Sequence, residues 1–318
     1  MFLCPHCKRT FEPPKCLCGH TIEKQSGIWQ LSDAPDIVTD GEQQYIGYEH
    51  IGKAYSGERA YRIDEHDRKI ADEVSRITAG GVLLDLGCGD GCLTVPLAAH
   101  GTHVIAGDIS NAMLHLLQDK AEHNGVSLDS VILCRMNALE IPLADHSVDC
   151  AVANSVLHLI STPETVIREI YRVLKTGGTF LCLDDAPGQQ EAALNNTTYN
   201  DIVSFIYTEY WKRLQTHGIT PTKYSWSFDR DAVCRRLFSA CSQTIIPQSG
   251  VRETALKDGF LPRFAAKGFS DQTQVPTALH KVILNEVLNR CRRMYGTGFD
   301  RVVCKEQERD IIITQYIK

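Results

Sequence analysis

The chain has 318 residues, 43% of them hydrophobic and 23% charged, with a formal net charge of −6. That length supports a full-sized domain with appendages, and the balance of residue types is that of an ordinary globular protein. The acidic balance excludes a global pull toward nucleic acid, and without an apolar run of about 18 residues no membrane helix is expected.

The start, Met1-Phe2-Leu3-Cys4-Pro5, has neither a basic n-region nor an apolar signal-peptide core. Residues 1–30, read as a small zinc ribbon, hold four of the thirteen cysteines and little that builds a core. Cys4-Pro5-His6-Cys7, eight residues and then Cys16-Leu17-Cys18-Gly19-His20 have metal-ligand spacing. One thiolate pair forms a knuckle, and a second pair across a short hairpin completes a tetrahedral site. Zn2+ is the expected ion because the ligands are sulfur or nitrogen, and it would supply the folding energy of so small a segment. The fourth ligand is Cys18 or His20. Other cysteines sit in apolar strand-like runs (Cys134, Cys150, Cys182), which fits a reducing, cytoplasmic setting better than disulfides.

Residues 31–78 read as a helical cap or linker, with apolar Ile70, Val74 and Ile77 predicting a helix over Asp64–Ile77. From Gly81 strands alternate with helices. Strands are predicted at Val82–Leu86, His103–Ala106, Val131–Met136, Val148–Ala153 and Thr179–Leu183, and helices at Cys92–Ala99, Asn111–His123 and Pro163–Leu174. Ser110 and Thr162 are the expected caps, and Gly177-Gly178 the expected stop of the last helix. Continuous apolar strands between helices predict an α/β, Rossmann-like doubly wound sheet over residues 79–186. Residues 187–318 are expected to hold a lid insert and the last strands of that sheet. Helices are predicted over Glu191–Leu214, Asp231–Cys241 and Pro276–Met294, and strands over Gln243–Ile246 and Ile311–Ile317.

The densest motif is Asp85-Leu86-Gly87-Cys88-Gly89-Asp90-Gly91, directly after a strand and before a helix. Glycines there permit positive φ and bring backbone against a ligand. A dinucleotide fingerprint would need glycine at position 92, which is Cys92. The acid at Asp85 suits a ligand carrying an ammonium group better than a pyrophosphate. Asp108, ending the second strand, can accept hydrogen bonds from both ribose hydroxyls.

This loop resembles the first motif of class I S-adenosylmethionine-dependent methyltransferases. Met136-Asn137-Ala138-Leu139-Glu140-Ile141-Pro142-Leu143, Ser147-Val148-Asp149-Cys150-Ala151-Val152 with Leu157-His158, and Arg168–Gly178 are similar to the family's later motifs. The resemblance covers about residues 80–185. It implies that Asp85, Gly87, Cys88, Gly89 and Gly91 hold the methionine portion of the cofactor, Asp108 and Ile109 the ribose, and Asn137 and Ala138 the adenine. Asn137 stands where the family usually has aspartate. Asn154 and Ser155 would lie near the sulfonium. The stretch Ile46–Tyr55 resembles the pre-core helix of ubiquinone-biosynthesis-like methyltransferases, where Tyr55 would either close over the cofactor or pack the helix. The spacing Cys16-x3-His20 resembles the zinc finger of large-subunit rRNA guanine methyltransferases.

Methyl transfer from a sulfonium is an in-line displacement that needs proximity and a desolvated acceptor. If the acceptor must lose a proton, His158 is the best-placed base by resemblance and Asp184 the second. Cys88 and Cys92 flank the loop without a partner that would make either nucleophilic. The aromatic stretch Tyr199–Phe228 lies where the family carries its acceptor lid, yet Ile202, Ile206 and Tyr210 on one face and Val203, Tyr207 and Trp211 on another predict mostly core. Arg290, Arg292 and Arg293 read as a solvated helix face. The leading expectation is a small-molecule methyl acceptor; the alternatives are an rRNA or tRNA base methyltransferase using the ribbon, or a non-catalytic protein that holds the cofactor or docks a partner.

Overall fold

The computed structural model describes residues 2–32, 61–160, 162–185, 197–220, 228–248, 250–272, 275–307 and 310–318. Tyr55, Tyr224 and Trp226 lie outside the described residues.

Two short strands, β1 (Phe2–Leu3) and β2 (Thr10–Phe11), pair antiparallel with Phe2 opposite Phe11. A hairpin of β3 (Lys24–Gln25) and β4 (Ile28–Gln30) follows. Its turn is Ser26-Gly27 at φ 48° and 85°, the double left-handed geometry that matches the twist of the flanking strands. Helix α1 (Glu65–Thr78) starts at Asp64, whose carboxylate accepts the Asp67 N–H at 2.9 Å, and turns Ile70, Ala71 and Val74 inward.

The alternating region then runs β5 (Val82–Leu86), α2 (Thr94–Ala99), β6 (His103–Asp108), α3 (Asn111–His123), β7 (Val131–Arg135), β8 (Val148–Ala153), α4 (Pro163–Val173) and β9 (Leu174–Asp185). Ser110 caps α3 through the Met113 N–H at 3.2 Å, whereas Thr162 makes no side-chain cap bond. The expected stop at Gly177-Gly178 is corrected: α4 ends at Val173 and β9 begins at Leu174. Both glycines are absorbed into the strand because Lys318 pairs with them, Gly177 N–H donating to Lys318 O and Lys318 N–H to Gly178 O, each at 2.9 Å.

Beyond β9 come α5 (Thr197–Gln215), α6 (Arg230–Leu237), β10 (Ala240–Ile246), β11 (Val251–Ala255), α7 (Phe260–Ala265), α8 (Thr277–Tyr295), β12 (Val303–Gln307) and β13 (Ile311–Ile317). Cys241, expected to end a helix, lies in β10. The β11–β12 ladder was not legible in the sequence pattern.

Nine strands form one sheet in the order β10-β13-β9-β8-β5-β6-β7-β4-β3. Strands β4 through β9 of this sheet run parallel, and β13 runs antiparallel to both β9 and β10. The order reverses at β5, with β6 on one side and β8 on the other, so the crevice for a ligand opens beyond the carboxyl ends of β5 and β8. One face is covered by α1, α2 and α3, through Val74, Leu97 and Leu117. The other is covered by α4 and α6, through Ile167, Ile170 and Val233. No helix lies in the β7–β8 connection; there Phe2, Phe11, Ile22 and Leu31 of the ribbon join the same apolar cluster. A third cluster, Ile202, Ile206, Tyr210, Phe264, Ile283 and Val287 among its members, is built by α5, α7 and α8 alone with their loops. Among the described residues no helix is long and apolar enough to cross a membrane.

Candidate cofactor and metal sites

The glycine loop is held from three sides. From β6, Gly107 O accepts the Gly87 N–H at 2.7 Å and the Cys88 N–H at 3.1 Å. From α3, Leu117 fills the space at Gly91 so closely that a Cβ there would sit 2.4 Å from Leu117 Cγ. From beyond β8, Val156 crosses Gly87, where a Cβ would meet Val156 Cγ2 at 2.5 Å. That last contact ties the segment after β8 to the loop, joining two motifs about 70 residues apart in sequence. Gly89 differs: at φ 54° it has nothing within 4 Å of its would-be Cβ, so the loop presents bare backbone to open space at this one turn.

Asp108 organises that turn. Its Oδ2 accepts the Gly89 N–H and its Oδ1 the Ser110 N–H, both at 2.9 Å. Asp85 is 1% exposed, so it lies behind the loop instead of lining open space. Its Oδ2 accepts the Thr94 hydroxyl at 2.6 Å. Burial is the main cause that raises its pKa to about 6; the Thr94 hydrogen bond opposes this and the Asp108 charge adds to it. Thr94 was not singled out in the sequence. Neither was Lys120, which is 1% exposed and pairs with Asp90 at 3.3 Å beneath the loop.

Cys88 turns into the core, and burial, then Asp108 and Asp85, push its thiol well above its ordinary pKa; burial does the same to Cys92. Both are inert thiols. Ile109 O accepts Arg135 Nε at 3.1 Å. Asn137 Oδ1 accepts the Leu139 N–H at 2.9 Å, a local turn that fixes the amide beside Ala138. The segment that follows is latched by α4: Glu169 accepts the Ile141 N–H at 2.8 Å, and Arg172 donates to Ile141 O and Leu143 O, each at 2.7 Å.

Asn154 Oδ1 accepts the Ser155 hydroxyl at 3.2 Å, and Ser155 sits at φ 54°, an uncommon backbone state for a residue with a side chain. His158, on a short 3-10 turn over Leu157–Leu159, is held below the ordinary histidine pKa by desolvation. Asp184 is corrected as a base candidate. Arg230 on α6 donates to both its oxygens, at 2.9 and 2.7 Å, so the carboxylate is committed to clasping β9 to α6.

In the ribbon, the sulfurs of Cys4, Cys7, Cys16 and Cys18 lie within 4.8 Å of one another. Cys4 Sγ is 3.7 Å from Cys18 Sγ, and Cys7 Sγ is 3.5 Å from Cys16 Sγ. Four thiolates bound to one tetrahedral zinc at its usual bond length stand about 3.8 Å apart. Burial opposes ionisation of Cys4, but the N–H groups of Cys7 and His6 directed at its sulfur bring its pKa down to about 7. His20 lies outside the cluster and stacks on His6 with ring centroids 5.9 Å apart.

The expected basic face at α8 is partly neutralised, since Arg290 and Arg213 both pair with Glu209 of α5. The aromatic residues of α5 pack as core: Tyr210 is fully buried and hydrogen-bonded to His280 Nδ1 at 2.6 Å, and Tyr207 meets Phe260, Phe264 and Phe269.

Residues 84–182 match the family model described as a methyltransferase domain. The ubiquinone/menaquinone biosynthesis C-methyltransferase UbiE of Vibrio cholerae is 33% identical over 120 residues, which are 37% of this chain and 46% of that enzyme. An uncharacterized chloroplastic methyltransferase of Arabidopsis thaliana is 31% identical over 121 residues, 37% of this chain and 34% of its own length. The chain thus spans less than half the length of these relatives. Among solved structures, the YcgJ protein of Bacillus subtilis is 18% identical with a TM-score of 0.46, covering 80% of this chain and 99% of its own. The glycine loop, Asp108, the Asn137 segment and the α4 latch all fall inside the matched span, so residues 84–182 are the part of the chain that matches a methyltransferase domain.

Proposed function

We propose that this chain transfers a methyl group from S-adenosylmethionine to a small-molecule acceptor. The observation that carries the reading is the bare turn at Gly89 with the carboxylate of Asp108 on it and that of Asp85 buried behind the loop. That is a cradle for a cationic nucleoside: backbone open to a ligand, acids to balance a positive charge, and at Asp108 a carboxylate of the kind that accepts ribose hydroxyls. Asn137 and Ala138 are assigned to the adenine, Gly87, Gly89 and Gly91 to the methionine portion, and Asn154 to the edge near the acceptor. Asp85 acts through its field and through Thr94, since it is buried. When bound, S-adenosylmethionine supplies an activated methyl group.

The protein's own contribution is placement. Val156 packs across Gly87 and is assigned to shield one side of the loop, and His158 is assigned as the base for an acceptor that must lose a proton. With its pKa lowered, His158 is neutral at pH 7 and competent as a base. A small-molecule acceptor is supported by the net charge of −6 and by the relative named for ubiquinone and menaquinone biosynthesis. We further assign one structural Zn2+ to Cys4, Cys7, Cys16 and Cys18, a closed four-sulfur set with no open position for catalysis.

The test combines calorimetric titration with S-adenosylmethionine and a labelled-methyl screen against quinol-like and other small metabolites and against total RNA. Binding that weakens at least about tenfold in Asp108→Ala, with label entering a small molecule, is expected. Absence of cofactor binding would sink the reading, and label only in RNA would replace its acceptor.

A further inference from the structure

The ribbon has two arms, and each braces a different wall of the proposed cofactor crevice. The arm that carries Cys4 and Cys7 meets the loop after Asn137-Ala138. Leu3 N–H donates to Pro142 O at 3.0 Å, Phe2 bridges to Leu143, and Lys8 pairs with Glu140. The arm that carries Cys16 and Cys18 continues into the β3–β4 hairpin and meets the ribose wall. There β4 adds to β7 with Gln30 in register with Arg135, and Leu31 N–H donates to Arg135 O at 3.0 Å. Gln30 and Asn111 exchange amide hydrogen bonds at 3.2 and 3.3 Å, three residues beyond Asp108. Gln118, two turns along α3, donates to Ser26 O at 2.8 Å.

Two sulfur pairs cross between the arms: Cys4 with Cys18 at 3.7 Å, and Cys7 with Cys16 at 3.5 Å. An ion bound there joins the adenine wall to the ribose wall through two short levers. The ribbon's apolar residues are few, and they lie against the sheet where the β7–β8 connection provides no helix. An ion held by the four sulfurs would therefore reinforce the shared packing of the arms, while each arm's grip on its wall is hydrogen bonding and packing.

We infer that the metal knot sets the spacing of the two walls, so that metal occupancy controls cofactor affinity without contact, with Gln30 and Gln118 as the positioning residues on the ribose side. The inference rests on the cofactor and metal assignments proposed above. Coupling between two sites is reciprocal. Metal loss must weaken cofactor binding, and bound cofactor must by the same factor hold the metal more tightly.

The experiment uses the full chain purified with zinc. Affinity for S-adenosylhomocysteine is measured by calorimetry before chelation, after it and after zinc is restored, with circular dichroism to follow folding. A loss of about tenfold on stripping, recovered on restoring zinc, is expected, and S-adenosylhomocysteine should lower the fraction of zinc lost to a chelator at equilibrium. The variant Gln30→Ala with Gln118→Ala keeps all four thiols but frees α3 from the ribbon. It should retain one equivalent of zinc, bind S-adenosylhomocysteine more weakly, and respond little to stripping. Unchanged affinity in stripped, folded protein overturns the inference, as does a double variant that responds like the parent. If stripping unfolds the chain, wild-type affinity in the zinc-loaded double variant overturns it. Protein that holds no zinc removes the metal assignment and this inference with it, whereas zinc-loaded protein that binds no S-adenosylhomocysteine removes the cofactor reading instead.

Discussion

Asp85 shows how one residue can serve a ligand at the expense of the fold. An ionised carboxylate this deeply buried is costly, and its pKa rises to about 6 from 3.8. The native state therefore binds a proton that the unfolded chain has already released between about pH 4 and pH 6. Stability must fall as pH rises through that window and stay lower above it, by about 3 kcal/mol. Asp85→Asn keeps an acceptor for the Thr94 hydroxyl and removes the charge. We expect its denaturation midpoint to exceed the parent's at pH 7.5 and to match it near pH 4, while its affinity for S-adenosylmethionine drops. Equal stability of the two proteins at pH 7.5 would show that the buried carboxylate is not strained. At the same scale, the motif's chemistry was legible in sequence but its geometry was not. The pattern located Asp85, yet only packing shows that Gly87 and Gly91 are closed by Val156 and Leu117 while Gly89 stays open.

At the scale of elements, helix α3 does more than cover the sheet. Its inward face reads Met113, Leu114, Leu116, Leu117 and Ala121, and Lys120 shares that face. A lysine on an apolar helix face needs a buried partner, and Asp90 is it. Lys120→Ala leaves Asp90 unpaired beneath the loop, so urea denaturation should report a loss of about 3 kcal/mol. Lys120→Met with Asp90→Asn removes both charges and should recover most of that loss. If Lys120→Ala costs no stability, the pair is not what anchors the loop to α3. Lys120 is thus a signal the sequence carried and that its periodicity alone did not single out. Other elements had no local signal. Ile28–Gln30 is three residues long and becomes a sheet strand only because β7 offers an edge. Val251–Ala255 is a strand through its pairing with Val303–Gln307, some 50 residues away. Where periodicity is strong and partners are near, as in Asn111–His123 and Val148–Ala153, the predicted bounds and the observed ones coincide.

For the whole molecule, the distribution of apolar residues decides how it comes apart. Two clusters share the sheet, one on each face, and both lose their support together if the sheet opens. The third, around Tyr210, Phe264 and Val287, draws on α5, α7 and α8 and on no strand of the sheet. A unit with its own core can melt as its own cooperative step. Calorimetry should therefore resolve two transitions. S-adenosylhomocysteine at about a hundredfold excess over its dissociation constant adds about 2.7 kcal/mol to whichever unit holds it. With the crevice built from β5, β6, β8 and α3, that gain belongs to the sheet, and its transition should rise by several degrees while the helical one stays. An acceptor that bridges the two units would then raise the helical transition as well, which gives a way to recognise a true acceptor among candidates before any turnover is seen. A single transition that moves as one with S-adenosylhomocysteine alone would mean that the helices and the sheet unfold together, and that the helical core is no separate lid.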